Sequence, residues 1–254
     1  MSLRVLIGLS LLAAIIGLVF GIWPELDLTL SHAFLLPPEG FVTGRVSAFA
    51  FFRDISMWPP NAIWVLALLA LLAKLALPRR DLLVPGVAAI FLIVTSVGAP
   101  LLMMNGLLKQ YSGRPRPVAV EQFGGTLEFK AWWDMSGACP RNCSFASGES
   151  SQAFWLVAPA ALTPPPFRPA AYIIAIGYGT IVALLRMAFG AHFFTDVFFG
   201  AYLTYVVIWL MHRLLFRWRR TRLSNEGVED GLAEAGLSIG RVLRRLTGRL
   251  PPMP

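Results

Sequence analysis

Charged side chains are scarce in this sequence, and histidine and cysteine are scarcer still. Charged residues make up 14% of the 254 positions against 56% hydrophobic residues, and there are three histidines and two cysteines. Ordinary soluble domains carry about 25% charged residues, so this composition excludes that class. It predicts an all-α, polytopic membrane protein.

The long apolar runs indicate six transmembrane helices. The first run follows Arg4 and ends before the acidic segment Pro24–Asp27, with no signal-peptide cleavage site ahead of that segment, so we predict a helix and not a cleaved leader. Residues Pro24–Pro60 are predicted to lie outside the membrane, with a short interfacial helix near Phe41–Phe52. The six predicted helices are Val5–Ile22, Ala62–Leu77, Leu82–Leu108, Ser151–Leu162, Ala170–Ala188 and Phe193–Phe216.

The basic residues at the ends of these runs fall on one side of the membrane when six helices alternate. They are Arg4, Arg79, Arg80, Arg168 and the five arginines between Arg213 and Arg222. The positive-inside rule makes that side cytoplasmic, and both termini lie there. The loop 109–150 and the turn near His192 then share the outer face.

The net charge of +8 does not indicate nucleic-acid binding. The basic residues are not interleaved with aromatic residues on one face, and membrane topology accounts for their positions. The tail 217–254 has apolar residues at helical spacing between arginines, which predicts a basic amphipathic helix on the cytoplasmic leaflet. The chain is thus divided into a first helix with its outer segment, 1–60, a core of helices two to six, 61–216, and this tail.

Cys139 and Cys143 are the only two cysteines, and both fall in the predicted outer loop. An oxidising compartment would permit a disulfide between them. Two free thiols are the alternative, and metal binding through so short a pair is disfavoured.

Three cations follow the third predicted helix: Lys109, Arg114 and Arg116. An interfacial anchor would place them on the cytoplasmic side, but the topology puts them outside, where the positive-inside rule disfavours them. A specific anionic partner would account for their position. Lysine as a point charge and arginine as a planar fork are the usual phosphate ligands.

A second cluster, Ser147, Gly148 and Glu149, begins the fourth predicted helix. One interpretation is structural, with Ser147 as the helix cap and Glu149 as a favourable charge in the first turn. The same arrangement also makes an anion site, because hydroxyl and backbone N–H groups at a helix N-terminus point at the anion and glycine allows close approach.

The third cluster places Arg186, His192 and Asp196 within apolar sequence. His192 and Asp196 are four residues apart, so on a helix they share one face. An aspartate there fixes the imidazole tautomer and leaves the other ring nitrogen free as a base, a nucleophile or a metal ligand. The simpler interpretation is a pair of helix-end charges at the interface between membrane and water. The two upstream clusters argue against that interpretation.

The order and spacing of the three clusters resemble the type 2 phosphatidic acid phosphatase superfamily, which includes glucose-6-phosphatase and the vanadium haloperoxidases. The resemblance covers roughly residues 61–216, and it implies the helical core of that superfamily and no metal or other cofactor. The matching residues are Lys109, Arg116, Pro117, Ser147, Gly148, Arg186, His192 and Asp196.

This resemblance implies a role for each residue. His192 would be the nucleophile that forms a phosphohistidine, and Asp196 would orient and polarise it. General chemistry agrees, because phosphoryl transfer depends mostly on positioning and on compensation of oxyanion charge. The phosphate oxygens would be held by Lys109, Arg116, Arg186, Ser147 and the backbone N–H of Gly148.

The sequence departs from the superfamily pattern in three places. Glu149 stands where the second motif, usually Pro-Ser-Gly-His, has its histidine; Ala146 replaces its proline, and Leu185 replaces the serine that usually begins the third motif. The missing histidine normally protonates the leaving oxygen. We hypothesise that Glu149 is the general acid here, which requires that it be protonated near neutral pH, through burial or a neighbouring phosphate charge.

The sequence therefore predicts a metal-independent phosphatase in a bacterial inner membrane, with its active site at the periplasmic face. A lipid phosphate in the bilayer is the expected substrate, because an apolar route between helices suits a lipid better than a sugar phosphate. Similar envelope-modifying phosphatases of this superfamily favour lipid A. Undecaprenyl pyrophosphate and phosphatidylglycerol phosphate are the alternative substrates, and the sequence specifies no oligomeric state.

The sequence fits a phosphatase better than three other classes of protein. A vanadate-dependent haloperoxidase is disfavoured because those relatives are soluble. A lipid-phosphate-binding protein that has lost catalysis is disfavoured because His192 and Asp196 are both kept. A transporter is disfavoured because the polar residues cluster at one face and do not trace a path through the midplane.

Overall fold

The computed structural model describes residues 1–36, 40–41 and 47–246. Helices dominate this part of the chain, and the all-α prediction is confirmed. Two short strands, β1 (Leu35–Leu36) and β2 (Gly40–Phe41), pair in antiparallel fashion. The helices are α1 (Leu3–Ile22), α2 (Glu25–His32), α3 (Ser47–Ile55), α4 (Trp58–Ala76), α5 (Gly86–Tyr111), α6 (Gly148–Phe154), α7 (Val157–Leu162), α8 (Arg168–Ala188), α9 (Phe194–Arg217) and α10 (Asn225–Leu246).

Part of two predictions falls outside these ranges. Residues 42–46 of the predicted interfacial helix and the tail beyond residue 246 lie outside the described residues. Of the remaining residues of that prediction, Phe41 belongs to β2 and residues 47–52 fall within α3.

Within the described residues, five helical stretches are long and apolar enough to cross a membrane, and the prediction of a multi-pass membrane protein is confirmed. They are Leu3–Ile22, Ala48–Ala76, Gly86–Tyr111, Arg168–Ala188 and Phe194–Arg217. The count differs from the predicted six because Ser151–Leu162 folds as parts of α6 and α7, with a break at Trp155 and Leu156.

Exposed side chains on the long helices are apolar, whereas part of the interior is polar. Ile173 and Ile174 of α8 are 72% and 71% exposed, while Arg114 and His192 are almost completely buried. Soluble proteins have the reverse distribution. The apolar surface is therefore suited to lipid, and each buried polar group needs a partner within the protein.

The chain forms two compact units, one of residues 1–60 and 95–210, the other of residues 61–94 and 211–254. The first unit contains every residue of the three sequence clusters. In the second unit, the N-terminal half of α10 is held by Glu229, which accepts hydrogen bonds from the ammonium of Lys74 (3.0 Å) and from the backbone N–H of Leu82 (2.9 Å).

In the first unit, α6 and α7 pack closely on α8 because small residues allow it. A Cβ on Gly179 of α8 would come within 2.6 Å of the Phe154 ring. Just beyond α6, the indole N–H of Trp155 donates to the hydroxyl of Thr95 (2.9 Å), at the middle of α5. These contacts fix the N-terminus of α6, which carries the second sequence cluster, relative to α5 and α8, which carry residues of the first and third.

Candidate active site

The end of α5 positions Lys109. This helix has π-helical turns over Val97–Leu108, and such turns are frequent at functional sites. Pro100 lies within them and cannot donate a helical hydrogen bond, while the amide of Asn105 donates to the Pro100 carbonyl (2.7 Å). Lys109 follows directly and is 7% exposed.

Backbone hydrogen bonds join the first cluster to the loop that leads into α6. The N–H of Cys143 donates to the carbonyl of Lys109 (2.9 Å), and the N–H of Ser144 donates to the carbonyl of Arg114 (2.8 Å). A disulfide joins Cys139 and Cys143. The disulfide loop therefore lies directly against the first cluster.

Arg116 is held by this loop. Its guanidinium donates from Nε (3.3 Å) and Nη2 (3.0 Å) to the carbonyl of Asn142. Asn142 has a φ of 52°, in the left-handed region that asparagine tolerates better than most residues. The conformation of the disulfide loop thus helps to determine where the guanidinium of Arg116 lies.

Replacing both Cys139 and Cys143 by serine should destabilise the protein. The chain-entropy relation for so short a loop gives about 2 kcal/mol, and we expect the KM to rise as Arg116 loses its fixed acceptor. Thermal unfolding of the detergent-solubilised protein and phosphatase kinetics would measure both effects. Wild-type protein treated with reductant should unfold like the variant; unchanged unfolding and KM in both samples would contradict this role of the loop.

Ser147 is the N-cap of α6. Its hydroxyl accepts from the N–H of Ser150 (3.3 Å) and bonds with the Ser150 hydroxyl (2.9 Å), and its own N–H donates to the carbonyl of Asp196 (3.0 Å). Two glycines permit this close packing. A Cβ on Gly200 would be 2.8 Å from the Ser147 carbonyl oxygen, and a Cβ on Gly148 would overlap the side chain of Asn105.

Glu149 and Arg186 form an ion pair between the carboxylate and Nε. Arg186 is 9% exposed, and Glu149 lies at the start of α6, where it is partly exposed. Lys109 and Arg116 are both close enough to Arg186 to interact with it electrostatically. The glutamate at the histidine position of the second motif thus contacts one of the three predicted phosphate-binding cations.

His192 is fully buried in the turn between α8 and α9. Its Nδ1 lies 2.8 Å from the carbonyl oxygen of Ser144. Burial lowers the pKa of His192 to about 4, so the imidazole is neutral at pH 7 and carries one proton. A carbonyl only accepts, so that proton is on Nδ1, and Nε2 has a lone pair with no hydrogen-bond partner among the described residues.

Asp196 lies in the first turn of α9 and contacts His192 less directly than predicted. The nearest distance from its carboxylate, Oδ2, to Nδ1 of His192 is 3.8 Å, which is beyond a hydrogen bond. Oδ2 instead accepts from the hydroxyl of Ser144 (2.5 Å) and from the N–H of Phe193 (2.8 Å). Asp196 therefore holds Ser144, and the Ser144 carbonyl holds the imidazole.

All the residues that the sequence assigned to the site come together. Lys109 interacts electrostatically with Glu149, Arg116, Arg186 and Asp196, and both Lys109 and Arg186 interact with His192. Ser147 and Gly148 are joined to them through the hydrogen bond to Asp196 described above. The described residues contain no cluster of three or more His, Cys, Asp or Glu side chains that could bind a metal ion.

Sequence reasoning missed three contributors: Ser144, Arg114 and Asp27. Arg114 is 1% exposed and pairs with both Asp196 (2.5 Å) and Asp27 (2.8 Å). The only signal for Arg114 was its place in the first cluster, where the spacing selected Arg116. Asp27 gave no signal, because it is distant in sequence and lies in an ordinary acidic helix start.

Comparisons with known proteins identify the family of this chain. The model of a family described as the PAP2 superfamily matches residues 82–220. A lipid A 4'-phosphatase of Francisella tularensis subsp. novicida (strain U112) is 32% identical over 201 residues, which are 78% of this chain and 90% of that protein. A lipid A 4'-phosphatase of Rhizobium leguminosarum is 38% identical over 101 residues, which are 40% of this chain and 43% of that protein.

A solved structure has the same fold. The crystal structure described as the first transmembrane PAP2 type phosphatidylglycerolphosphate phosphatase, from Bacillus subtilis, superposes with a TM-score of 0.52 at 20% identity, covering 81% of this chain and 93% of that one. The family model matches more than half of the sequence. The chain therefore belongs to the PAP2 superfamily and is a membrane-embedded phosphoric monoester hydrolase, as the three clusters predicted.

Proposed function

We propose that this protein removes a phosphate group from lipid A at the periplasmic face of the bacterial inner membrane. The observation that carries the proposal is the lone pair on Nε2 of His192, which is neutral and lies near the cations Lys109 and Arg186. Lipid A as the substrate is supported by the names of the relatives from Francisella and Rhizobium. The periplasmic face is supported by the distribution of basic residues.

In the first step, Nε2 of His192 attacks the phosphorus atom and the bond from phosphorus to the lipid oxygen breaks. Glu149 donates its proton to that leaving oxygen, so the lipid departs as an alcohol. The phosphorylated imidazole keeps its proton on Nδ1 and is a cation, which the Ser144 carbonyl and, beyond it, Asp196 stabilise. In the second step, water attacks phosphorus, Glu149 accepts the proton of the water, and inorganic phosphate leaves with His192 neutral again.

The cations and the α6 N-terminus compensate the charge on the phosphate oxygens during both steps. The groups assigned to this task are the side chains of Lys109, Arg116, Arg186 and Ser147 and the backbone N–H of Gly148.

Glu149 and the phosphate would share Arg186. A carboxylate on Glu149 attracts the guanidinium and repels a phosphate, whereas a protonated Glu149 does neither. Phosphate binding at Arg186 and protonation of Glu149 therefore favour each other, and a proton would be in place when the leaving oxygen needs it. This coupling is our reason for keeping Glu149 as the general acid.

Phosphate release by the purified protein in detergent micelles tests the proposal. The substrates would be lipid A, undecaprenyl pyrophosphate, phosphatidylglycerol phosphate and phosphatidate, and we expect the highest kcat/KM with lipid A. A higher kcat/KM with another lipid would refute lipid A as the substrate but would leave the assignment as a phosphatase intact. A folded protein that binds these lipids and releases no phosphate would instead be a lipid-phosphate-binding protein.

A further inference from the structure

We propose that Arg114, fixed by Asp27 of α2, is a positioning residue for the reaction, because it orients Asp196 and through it His192. This inference rests on the function proposed above. It assigns a role to two buried charges that are not among the residues matching the superfamily pattern.

Arg114 uses nearly all of its guanidinium donors within the protein. Nη1 donates to Oδ1 of Asp196 (2.5 Å) and to the hydroxyl of Thr195 (2.8 Å), and Nη2 donates to Oδ2 of Asp27 (2.8 Å). Nε donates to the carbonyl of Lys130 (3.0 Å). The guanidinium also lies over the ring of Phe193, 4.4 Å from its centroid, so its position is fixed from several directions.

Asp27 fixes both Arg114 and the start of α9. Besides its ion pair with Arg114, its carboxylate accepts from the N–H of Thr195 (3.1 Å) and from the hydroxyl of Thr195 (2.6 Å). The N–H groups of a first helical turn lack partners within the helix, and Asp27 supplies one from a different part of the chain. Asp196 is the next residue, so Asp27 and Arg114 together determine where its carboxylate lies.

A continuous set of contacts then reaches the reacting nitrogen. Arg114 holds Oδ1 of Asp196, Oδ2 of Asp196 accepts from the Ser144 hydroxyl, and the Ser144 carbonyl accepts from Nδ1 of His192. Each step joins groups that are buried. A shift of the Asp196 carboxylate therefore moves or loosens the imidazole that must face phosphorus.

The energetics of the network favour a role in geometry over a role in stability. Three buried charges cost desolvation, and such groups are often no more stabilising than a well-packed apolar replacement. A planar guanidinium can contact two carboxylates at once, whereas the ammonium of a lysine is a point charge and matches this geometry poorly. Arg114 holds Asp196 in a fixed orientation, which an apolar side chain would not do.

The test compares Asp27→Asn with Glu25→Gln, which removes the same charge from an exposed position of the same helix. The amide in Asp27→Asn would keep the volume but lose the charge and one acceptor, so we expect kcat with lipid A to fall about ten- to a hundredfold. The KM should stay within about twofold, because Asp27 does not contact the substrate. Arg114→Lys should show the same loss, and Glu25→Gln should behave as wild type.

Binding of vanadate and of inorganic phosphate gives a readout that does not depend on turnover. Vanadate takes up the five-coordinate geometry of phosphoryl transfer and needs a correctly placed Nε2, whereas phosphate needs only the cations. We expect calorimetric titration to show vanadate affinity reduced about tenfold or more in Asp27→Asn, with phosphate affinity nearly unchanged. Equal losses for both ligands, or for neither, would overturn the proposal.

The outcomes separate this inference from the proposed function. A wild-type protein that releases no phosphate from any lipid refutes the function, and the vanadate and phosphate titrations then decide on positioning by themselves. Wild-type kcat per folded molecule in Asp27→Asn and Arg114→Lys, with only the yield of folded protein reduced, would show that the network serves folding alone. That result would overturn the inference and leave the phosphatase intact.

Discussion

Replacing His192 by alanine should reduce phosphate release from lipid A by about 10⁴-fold or more, because the reaction loses its proposed nucleophile. Neither Ser144 nor Asp196, which lie beside the imidazole, is expected to replace His192 as the nucleophile. The Ser144 hydroxyl is engaged with Asp196, and the Asp196 carboxylate is also held by Arg114. Steady-state phosphate release in detergent micelles measures the loss.

Two further variants make this test specific. His192→Asn keeps an N–H that can donate to the Ser144 carbonyl but has no nucleophilic nitrogen, so it should be as inactive as His192→Ala while folding more like wild type. His32→Ala removes an exposed histidine of α2 and should retain full activity. Residual activity above about a hundredth of wild type in His192→Asn would contradict a phosphohistidine mechanism.

Chemical trapping examines the intermediate itself. Acid quenching of the wild-type protein during turnover of ³²P-labelled substrate should destroy the label on the protein, since phosphohistidine is acid-labile, whereas alkaline quenching should preserve it. Neither histidine variant at position 192 should be labelled. Label that survives acid would indicate a serine or other phosphoester and would move the nucleophile away from His192.

The sequence was sufficient for most of the fold because lipid imposes a strong constraint on composition. Apolar runs near the thickness of a bilayer have few alternatives to a spanning helix, and four of the five long stretches lie close to the predicted ranges. The second stretch, Ala48–Ala76, begins 14 residues before the predicted Ala62, within the segment predicted to lie outside the membrane. The other exception, Ser151–Leu162, folds as parts of two short helices, and at the break between them Trp155 forms a hydrogen bond with Thr95, which is distant in sequence. Periodicity within the segment contains no information about that contact.

In the site too, local sequence patterns were predictable, and contacts between residues distant in sequence were not. Lys109, Arg116 and Arg186 were found because charges are rare in this sequence and their spacing is characteristic. The direct partner of His192 was missed because it is a backbone carbonyl, a group that every residue has. Asp27 was missed because it lies 87 positions from Arg114, and only the folded chain brings two such charges together.

Replacing Glu149 by glutamine should lower kcat for lipid A by about 10²- to 10⁴-fold, the usual contribution of general acid catalysis. A glutamine has nearly the same volume as the glutamate, but it has no proton to give to the leaving oxygen. Phosphate release by the purified variant would be compared with that of Glu121→Gln, which loses the same charge at an exposed position of the loop 109–150. Full activity in Glu149→Gln would refute the assignment.

The ion pair with Arg186 allows a second interpretation of the same loss, and the leaving group separates the two. An aryl phosphate releases a stabilised phenolate that needs little protonation, so a missing acid should cost much less with this substrate than with lipid A. If Glu149 acted only by holding Arg186 in place, the loss would be the same for both substrates. Removing the carboxylate should also free Arg186 for phosphate, so a lower KM together with a lower kcat would show that Glu149 both competes with phosphate and supplies its proton.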